Sequence, residues 1–211
     1  MPEISLTDFV DFVIKAGSPK LTLVRQLFNR GEYSPAFDYW KQLREHIAQI
    51  HGGTAQVGSI LEGVDLRKKR RYETALTGHR KFLKRIGDAA YFVPPCERWT
   101  HSGLTVKVNP ELGLLLDGKR HVIKLYFKDE EPTPHRLNAA LALMKDSLKK
   151  GRFDDVTVAV LDVAKGKLIT ATKEDSAEYS ILLAGEAAAF MTMWTAMSAK
   201  TNAAVMKAGA R

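Results

Sequence analysis

The sequence predicts an α+β fold in which a helical N-terminal region is followed by a mixed β-sheet flanked by helices. Three observations carry this. Over the first hundred residues apolar positions recur at three and four, the spacing of one helix face. After Gly103 short apolar runs of strand type alternate with helical stretches, and Pro94-Pro95 separates the two regimes. With 211 residues, 45% hydrophobic and 27% charged, the chain can bury a core, which excludes disordered and fibrous classes. The expected organisation is a helical region over 1–63, an αβ domain over 64–199 and a flexible tail over 200–211.

Phe9, Val10, Val13 and Ile14 mark a first helix, and Leu23, Val24, Leu27 and Phe28 a second. Ser34-Pro35 is a good start for a third, because Ser accepts from orphan amides and Pro at the first helical position loses no needed bond. Its stripe is Phe37, Trp40, Leu43, Ile47 and Ile50, and His51-Gly52-Gly53 stops it. Residues 54–59 are a connector. A fourth helix spans 64–86, with Tyr72, Ala75, Leu76, His79, Leu83 and Ile86 on one arc and basic residues opposite. No strand is expected before residue 100.

Residues 104–108 and 112–116 read as strands, and Asp117-Gly118 is a two-residue hairpin signal leading into a strand over 120–128. A two-residue turn sets Leu112 opposite Ile123 and Glu111 opposite Lys124. One face then carries Leu112, Leu114, Leu116, Ile123, Leu125 and Phe127 as core; the other carries Glu111, Gly113, Leu115, Arg120, Val122, Lys124 and Tyr126.

Thr133-Pro134 opens a helix with the stripe Leu137, Ala140, Leu141, Met144 and Leu148, ended by Gly151. Residues 156–163 suit a strand buried on both faces, and Lys165-Gly166-Lys167 turns into another strand over 168–172. Asp175 and Glu178 start a last helix running from 176 to about 199. At about 34 Å it is long enough to span a bilayer, but Glu178 and Glu186 favour a buried core or dimer helix, so no membrane is expected.

Charge is the sharpest anomaly. The chain carries 32 Lys and Arg against 24 Asp and Glu, a formal +8. Nine of those cations lie between Arg67 and Arg85 with Glu73 as the one acid, so this helix holds the whole excess. Such a concentration is the footprint of a phosphate-backbone contact, with Arg67, Lys68, Arg70, Arg71, Arg80, Lys81, Lys84 and Arg85 as the contact residues. The structural alternative is a solvated helix face.

Other signatures are lacking. Cys96 is the single cysteine, which excludes an intrachain disulfide and suits a reducing cytoplasm. The start Met1-Pro2-Glu3-Ile4 has neither the basic nor the apolar part of a signal peptide. The six histidines lack ligand spacing, so no metal site is predicted from them. Neither a G-x-S-x-G elbow nor a Walker-type lysine is found, and Gly52-Gly53 and Gly58 come after a helix and read as a linker.

One constellation remains: Pro110-Glu111 on the second strand and Ile123-Lys124-Leu125-Tyr126 on the third. With the order helix, three strands, helix, two strands, helix over 64–199, it resembles the PD-(D/E)XK nuclease-like superfamily, whose order is the restriction-endonuclease-like αβββαββα. The resemblance implies a Pro-Asp on one strand and an acid-x-Lys on the next, holding magnesium and activating water for phosphodiester cleavage. Here Glu111 stands for the Asp, Lys124 for the second acid and Tyr126 for the lysine, so the catalytic candidates are Glu111, Lys124 and Tyr126. Magnesium is expected only if the protein is an active nuclease; otherwise no cofactor is implied. Asp117, Asp129 or Glu130 could replace the missing acid. The structural alternative is a cross-strand pair of Glu111 and Lys124 contributing about 0.2–1 kcal/mol, which a charge swap would preserve.

Three functions are consistent with these features. The first is a nucleic-acid-binding protein of nuclease-like fold with an incomplete catalytic motif. The second is an active magnesium-dependent nuclease with an unorthodox site. The third is a non-enzymatic assembly protein, a homodimer formed through the last helix, where Ala184, Gly185, Ala188 and Ala189 would let a second helix approach.

Overall fold

Hydrogen bonding divides eight strands into two sheets, seen in a computed structural model that describes residues 1–31, 38–148, 155–170 and 176–209. β1 (Glu3–Ser5) leads into α1 (Leu6–Val13), α2 (Ser18–Phe28) and α3 (Lys41–His51), and a 3-10 turn at Ser59–Glu62 precedes α4 (Leu66–Ile86). Then come β2 (Ala90–Phe92), β3 (Glu97–His101), β4 (Leu104–Val108), β5 (Leu112–Leu116), β6 (Lys119–Tyr126), α5 (Pro134–Leu148), β7 (Thr157–Asp162), β8 (Lys167–Thr170) and α6 (Ser176–Gly209). The expected order is present as α4, β4 to β6, α5, β7 and β8, α6, with β2 and β3 inserted ahead of β4. The fold is α+β.

The larger sheet runs β2-β5-β6-β7-β8, antiparallel except for the parallel pair β6 and β7. Its central hairpin has the expected register, Leu112 opposite Ile123, because Asp117 and Gly118 both take positive φ (49° and 72°). A turn with two left-handed residues matches the right-handed twist of the strands it joins. The smaller sheet runs β1-β4-β3, with β1 parallel to β4.

The larger sheet is buried on both faces. Against one face α3 and α4 place Leu43, Ile47, Tyr72, Leu76 and Phe82 over Leu112, Leu114, Ile123, Leu125 and Leu161. On the other, Val122, Val158 and Val160 meet α1, α5, α6 and the smaller sheet through Phe9, Phe12, Leu143, Val106 and Phe190. β7 is consequently buried along nearly its whole length, as its apolar run requires. The anticipated boundary between residues 63 and 64 is crossed by β1, which pairs with β4, and by α1, which shares a core with α5 and α6.

Several details differ from the sequence-based expectation. β4 pairs with β1 and β3, not with β5: Pro110 has no amide to donate and disfavours the helical region for the residue before it, and the chain changes sheets at Asn109-Pro110. Three strands, β1, β2 and β3, lie in the stretch expected to be helical. On α4 Phe82 is fully buried, while Leu83 and Ile86 are only half-buried. α6 continues past Lys200 to Gly209. The expected helix start at Ser34-Pro35, the stop at Gly151 and the cap at Asp175 lie outside the described residues.

The stretch Glu178–Thr201 of α6 is long and apolar enough, by length and composition, to cross a membrane. Its Glu186 is nevertheless engaged by Lys20 of α2, and Leu183, Ala187 and Phe190 are fully buried against the other helices.

Candidate functional site

α4 starts at Asp65, whose carboxylate accepts the Arg67 amide at 2.8 Å, and ends at Gly87 with φ 59°. The aspartate cap offsets a crowd of cations, Arg67, Lys68 and Lys69, in a first turn that contains no acid. Cations at a helix N-terminus oppose the macrodipole, each by about 0.3–1 kcal/mol. In this first turn charge is thus concentrated where helix stability disfavours it, whereas Lys84 and Arg85 in the last turn complement the dipole.

The inner arc of α4 is fixed by Tyr72, Ala75, Leu76, Gly78, His79 and Phe82. Gly78 lies so close to the turn after β7 that an added Cβ would sit 2.1 Å from the Val163 carbonyl oxygen and 2.2 Å from that of Ala164. This contact leaves the opposite arc, with Arg67, Lys69, Arg70, Arg80, Lys81, Lys84 and Arg85, exposed. Among the described residues none of Lys69, Arg70, Arg80, Lys81, Lys84 and Arg85 is paired with a carboxylate. Two predicted contact residues are placed differently. Lys68 and Arg71 lie over the Tyr39 ring, at 5.4 and 5.8 Å, and Arg71 also pairs with Asp129 at 3.1 Å.

Glu111 and Lys124 meet as the hairpin register requires. Lys124 Nζ is 2.5 Å from Glu111 Oε1 and also donates to the Asn109 carbonyl at 3.2 Å. The second carboxylate oxygen, Oε2, accepts the Leu125 amide at 2.8 Å. β5 begins only at Leu112, so the side chain takes the acceptor place that a longer strand would fill. Arg44 of α3 approaches Glu111 Oε1 at 3.8 Å while holding Asp38 at 2.5 Å.

Tyr126, two residues along β6, stands beside Asp162 of β7 in register. Burial raises its phenol pKa above the ordinary 10; Arg136 opposes this, while Glu130, Asp162 and Asp11 add to it. Arg136 lies 6.0 Å from the ring centre and is tied to Asp11, which also accepts from Lys128 at 2.8 Å.

The magnesium chemistry that the resemblance implies does not fit these residues. A hard divalent cation needs converging carboxylate oxygens, yet Glu111 faces an ammonium, a guanidinium and an amide. Among the described residues no group of three or more His, Cys, Asp and Glu side chains is arranged for a metal. Asp117 sits in the turn at the far end of the hairpin, Asp129 pairs with Arg71, and Glu130 acts on Tyr126. None supplies the missing acid at Glu111.

Sequence reasoning missed a histidine pair. His51 Nε2 at the end of α3 lies 3.0 Å from His79 Nε2 on α4, and the buried His79 Nδ1 has no partner among the described residues. Burial lowers His51 to about 4 and, with the nearby His51 and His46, lowers His79 to about 3, so both rings are neutral near pH 7. The available signal was a histidine within the apolar stripe of α4.

No family model and no curated protein matches the sequence. The fold is similar to that of a protein from Eubacterium rectale whose crystal structure, at 2.19 Å resolution, is described as a putative exonuclease. The TM-score is 0.54 at 10% identity, covering 91% of this chain and 81% of that one. At that identity the likeness is one of fold alone: the two proteins share an α+β architecture, and the PD-(D/E)XK resemblance rests on the sequence.

Proposed function

We propose that this protein binds nucleic acid through the outer arc of α4 and that its nuclease-like site is not catalytic. The observation that carries the reading is the row of exposed cations, Arg70, Arg80, Lys81, Lys84 and Arg85, without carboxylate partners among the described residues. Unneutralised charge on a rigid helix is what a phosphate backbone recognises, and its affinity falls with salt as counterions are released. The engagement of Glu111 by Lys124, Arg44 and the Leu125 amide supports the non-catalytic part. A cytoplasmic setting belongs to the same proposal and rests on the lone Cys96.

The test is a mobility-shift titration across salt concentrations with the wild type and with Arg67, Arg70, Lys81 and Arg85 all replaced by Gln. Steeply salt-dependent binding lost in the variant supports the reading; unchanged binding removes α4 from it. Incubation of the same complexes with magnesium should leave the nucleic acid intact, and cleavage that Glu111→Gln abolishes would establish the active-nuclease reading instead.

A second reading is self-association through α6, favoured by one observation: Ile181 is 76% exposed, and Leu182, Gly185 and Ala188 are exposed beside it. Light scattering decides it. A dimer that Ala188→Arg dissociates without unfolding supports it, and a monomeric mass at all micromolar concentrations rejects it.

A further inference from the structure

The cations on the outer arc of α4 fall into two groups. Arg67, Lys69 and Arg70 occupy the first turns, and Arg80, Lys81, Lys84 and Arg85 the last. From Arg70 to Lys81 the helix axis advances about 16 Å at 1.5 Å per residue. Between them the exposed side chains on this arc are Glu73, Thr74 and Thr77. Both threonine hydroxyls donate back into the helix, to the Arg70 carbonyl at 3.1 Å and the Glu73 carbonyl at 2.8 Å. The middle of the arc thus offers no cation and no free hydroxyl proton.

Stacking surfaces point the same way, independently of charge. Sequence-tolerant binding of single strands relies on aromatic side chains on which bases stack. Among the described residues no Phe, Tyr or Trp side chain is exposed, and the exposed His101 and His135 rings already pack on Trp99 and Tyr179. Those nearest the basic helix are committed elsewhere: Tyr72 and Phe82 are fully buried, and Tyr39 packs edge-on against Trp40 and Tyr72 beneath Lys68 and Arg71.

Resting on the proposed nucleic-acid binding, we infer that the ligand is double-stranded and that α4 lies across a groove, with one cation group on each of the two phosphate chains. The separation of the groups exceeds the roughly 12 Å major groove of B-form DNA by little more than the bordering phosphates and is far wider than the roughly 6 Å minor groove. A single strand would engage one group at a time and find no stacking platform. The middle, which carries no cation, one acid at Glu73 and hydroxyl protons already used, leaves little means of reading bases, so sequence preference is weak.

The experiment is fluorescence anisotropy with the full chain, using a labelled DNA duplex of about two helical turns and one of its strands alone, at matched salt. The duplex should bind at least about tenfold tighter, with a salt slope of about 0.9 for each phosphate neutralised. The triple variants R67Q/K69Q/R70Q and R80Q/K81Q/K84Q should each reduce that slope by about two to three and weaken duplex binding to a similar degree. Circular dichroism confirms that the helix is kept, and the replaced side chains are all exposed. Equal or tighter binding of the single strand, or a loss confined to one group, overturns the inference while nucleic-acid binding stands. Absence of binding to either probe at low salt overturns both.

Discussion

Glu111 and Lys124 form a two-sided lock at the open end of the central hairpin: one carboxylate oxygen meets the ammonium at 2.5 Å and the other accepts the Leu125 amide at 2.8 Å. Their side chains are only 10% and 13% exposed. Solvent therefore screens this pair less than an ordinary surface ion pair, and loss of either partner leaves the other half-desolvated. The positions that resemble a metal-binding motif are used to close the open end of an interior hairpin.

Glu111→Ala should destabilise the protein by about 1.5–3 kcal/mol, the range for hydrogen bonds involving a charged group. Its double-mutant cycle with Lys124→Ala should give a coupling above about 1 kcal/mol, beyond the usual cross-strand range. The charge-swapped pair will not recover wild-type stability, contrary to the sequence-based expectation, because a lysine at 111 cannot accept the Leu125 amide. Urea denaturation checks all of this, and a swapped variant as stable as the wild type would refute the role of that amide.

The His51 and His79 pair predicts an acid weakness. Both are held neutral in the fold, lowered to about 4 and about 3 from an ordinary 6.5. The unfolded chain thus binds more protons than the folded one below pH 6.5. Stability is fully present above that pH and falls as pH drops toward 4 and below. Each such proton contributes a slope of up to about 1.4 kcal/mol per pH unit. Replacing His79 by Leu should flatten the dependence of the urea midpoint on pH between 6.5 and 4, and an unchanged profile would reject the pair as its source.

What the sequence makes legible is what short-range chemistry determines. Asp117-Gly118 sets the hairpin turn and with it the Glu111 and Lys124 opposition; the α4 stripe separates buried from basic faces; the nearly all-apolar run over 156–163 identifies β7 as a core strand. β3 escapes because Glu97, Arg98 and Thr100 make it an exposed edge with only Trp99 half-buried. β1 is three residues long and exists through its pairing with β4, about a hundred residues away. The same limit applies at the site. Arg44 reaches Glu111, and His51 reaches His79, only after α3 has docked, and no sequence spacing encodes docking.

Gly78 should behave against the ordinary rule for helical glycines. In the interior of an exposed helix Gly→Ala is stabilising by about 1 kcal/mol, since alanine loses less backbone entropy. At this position the sign should reverse. A Cβ would lie 2.1 Å from the Val163 carbonyl oxygen, 2.2 Å from that of Ala164 and 2.4 Å from the Ala164 carbonyl carbon, all of them backbone atoms that cannot rotate away. The opposing turn is equally constrained: Gly166 has φ 66°, and its own added Cβ would meet the Gly78 carbonyl oxygen at 2.3 Å. Relief requires α4 to move off the β7–β8 turn, opening the layer formed by Leu76, Phe82, Leu161 and Val163. Overpacking of this kind costs about 1–3 kcal/mol, enough to outweigh the gain in propensity. Gly78→Ala should therefore lower Tm, whereas Thr77→Ala, one residue before it on the exposed side, should leave it unchanged or raise it. A Gly78→Ala protein more stable than the wild type would show that α4 is not seated on that turn. The orientation that keeps its basic arc toward solvent would then lose its anchor.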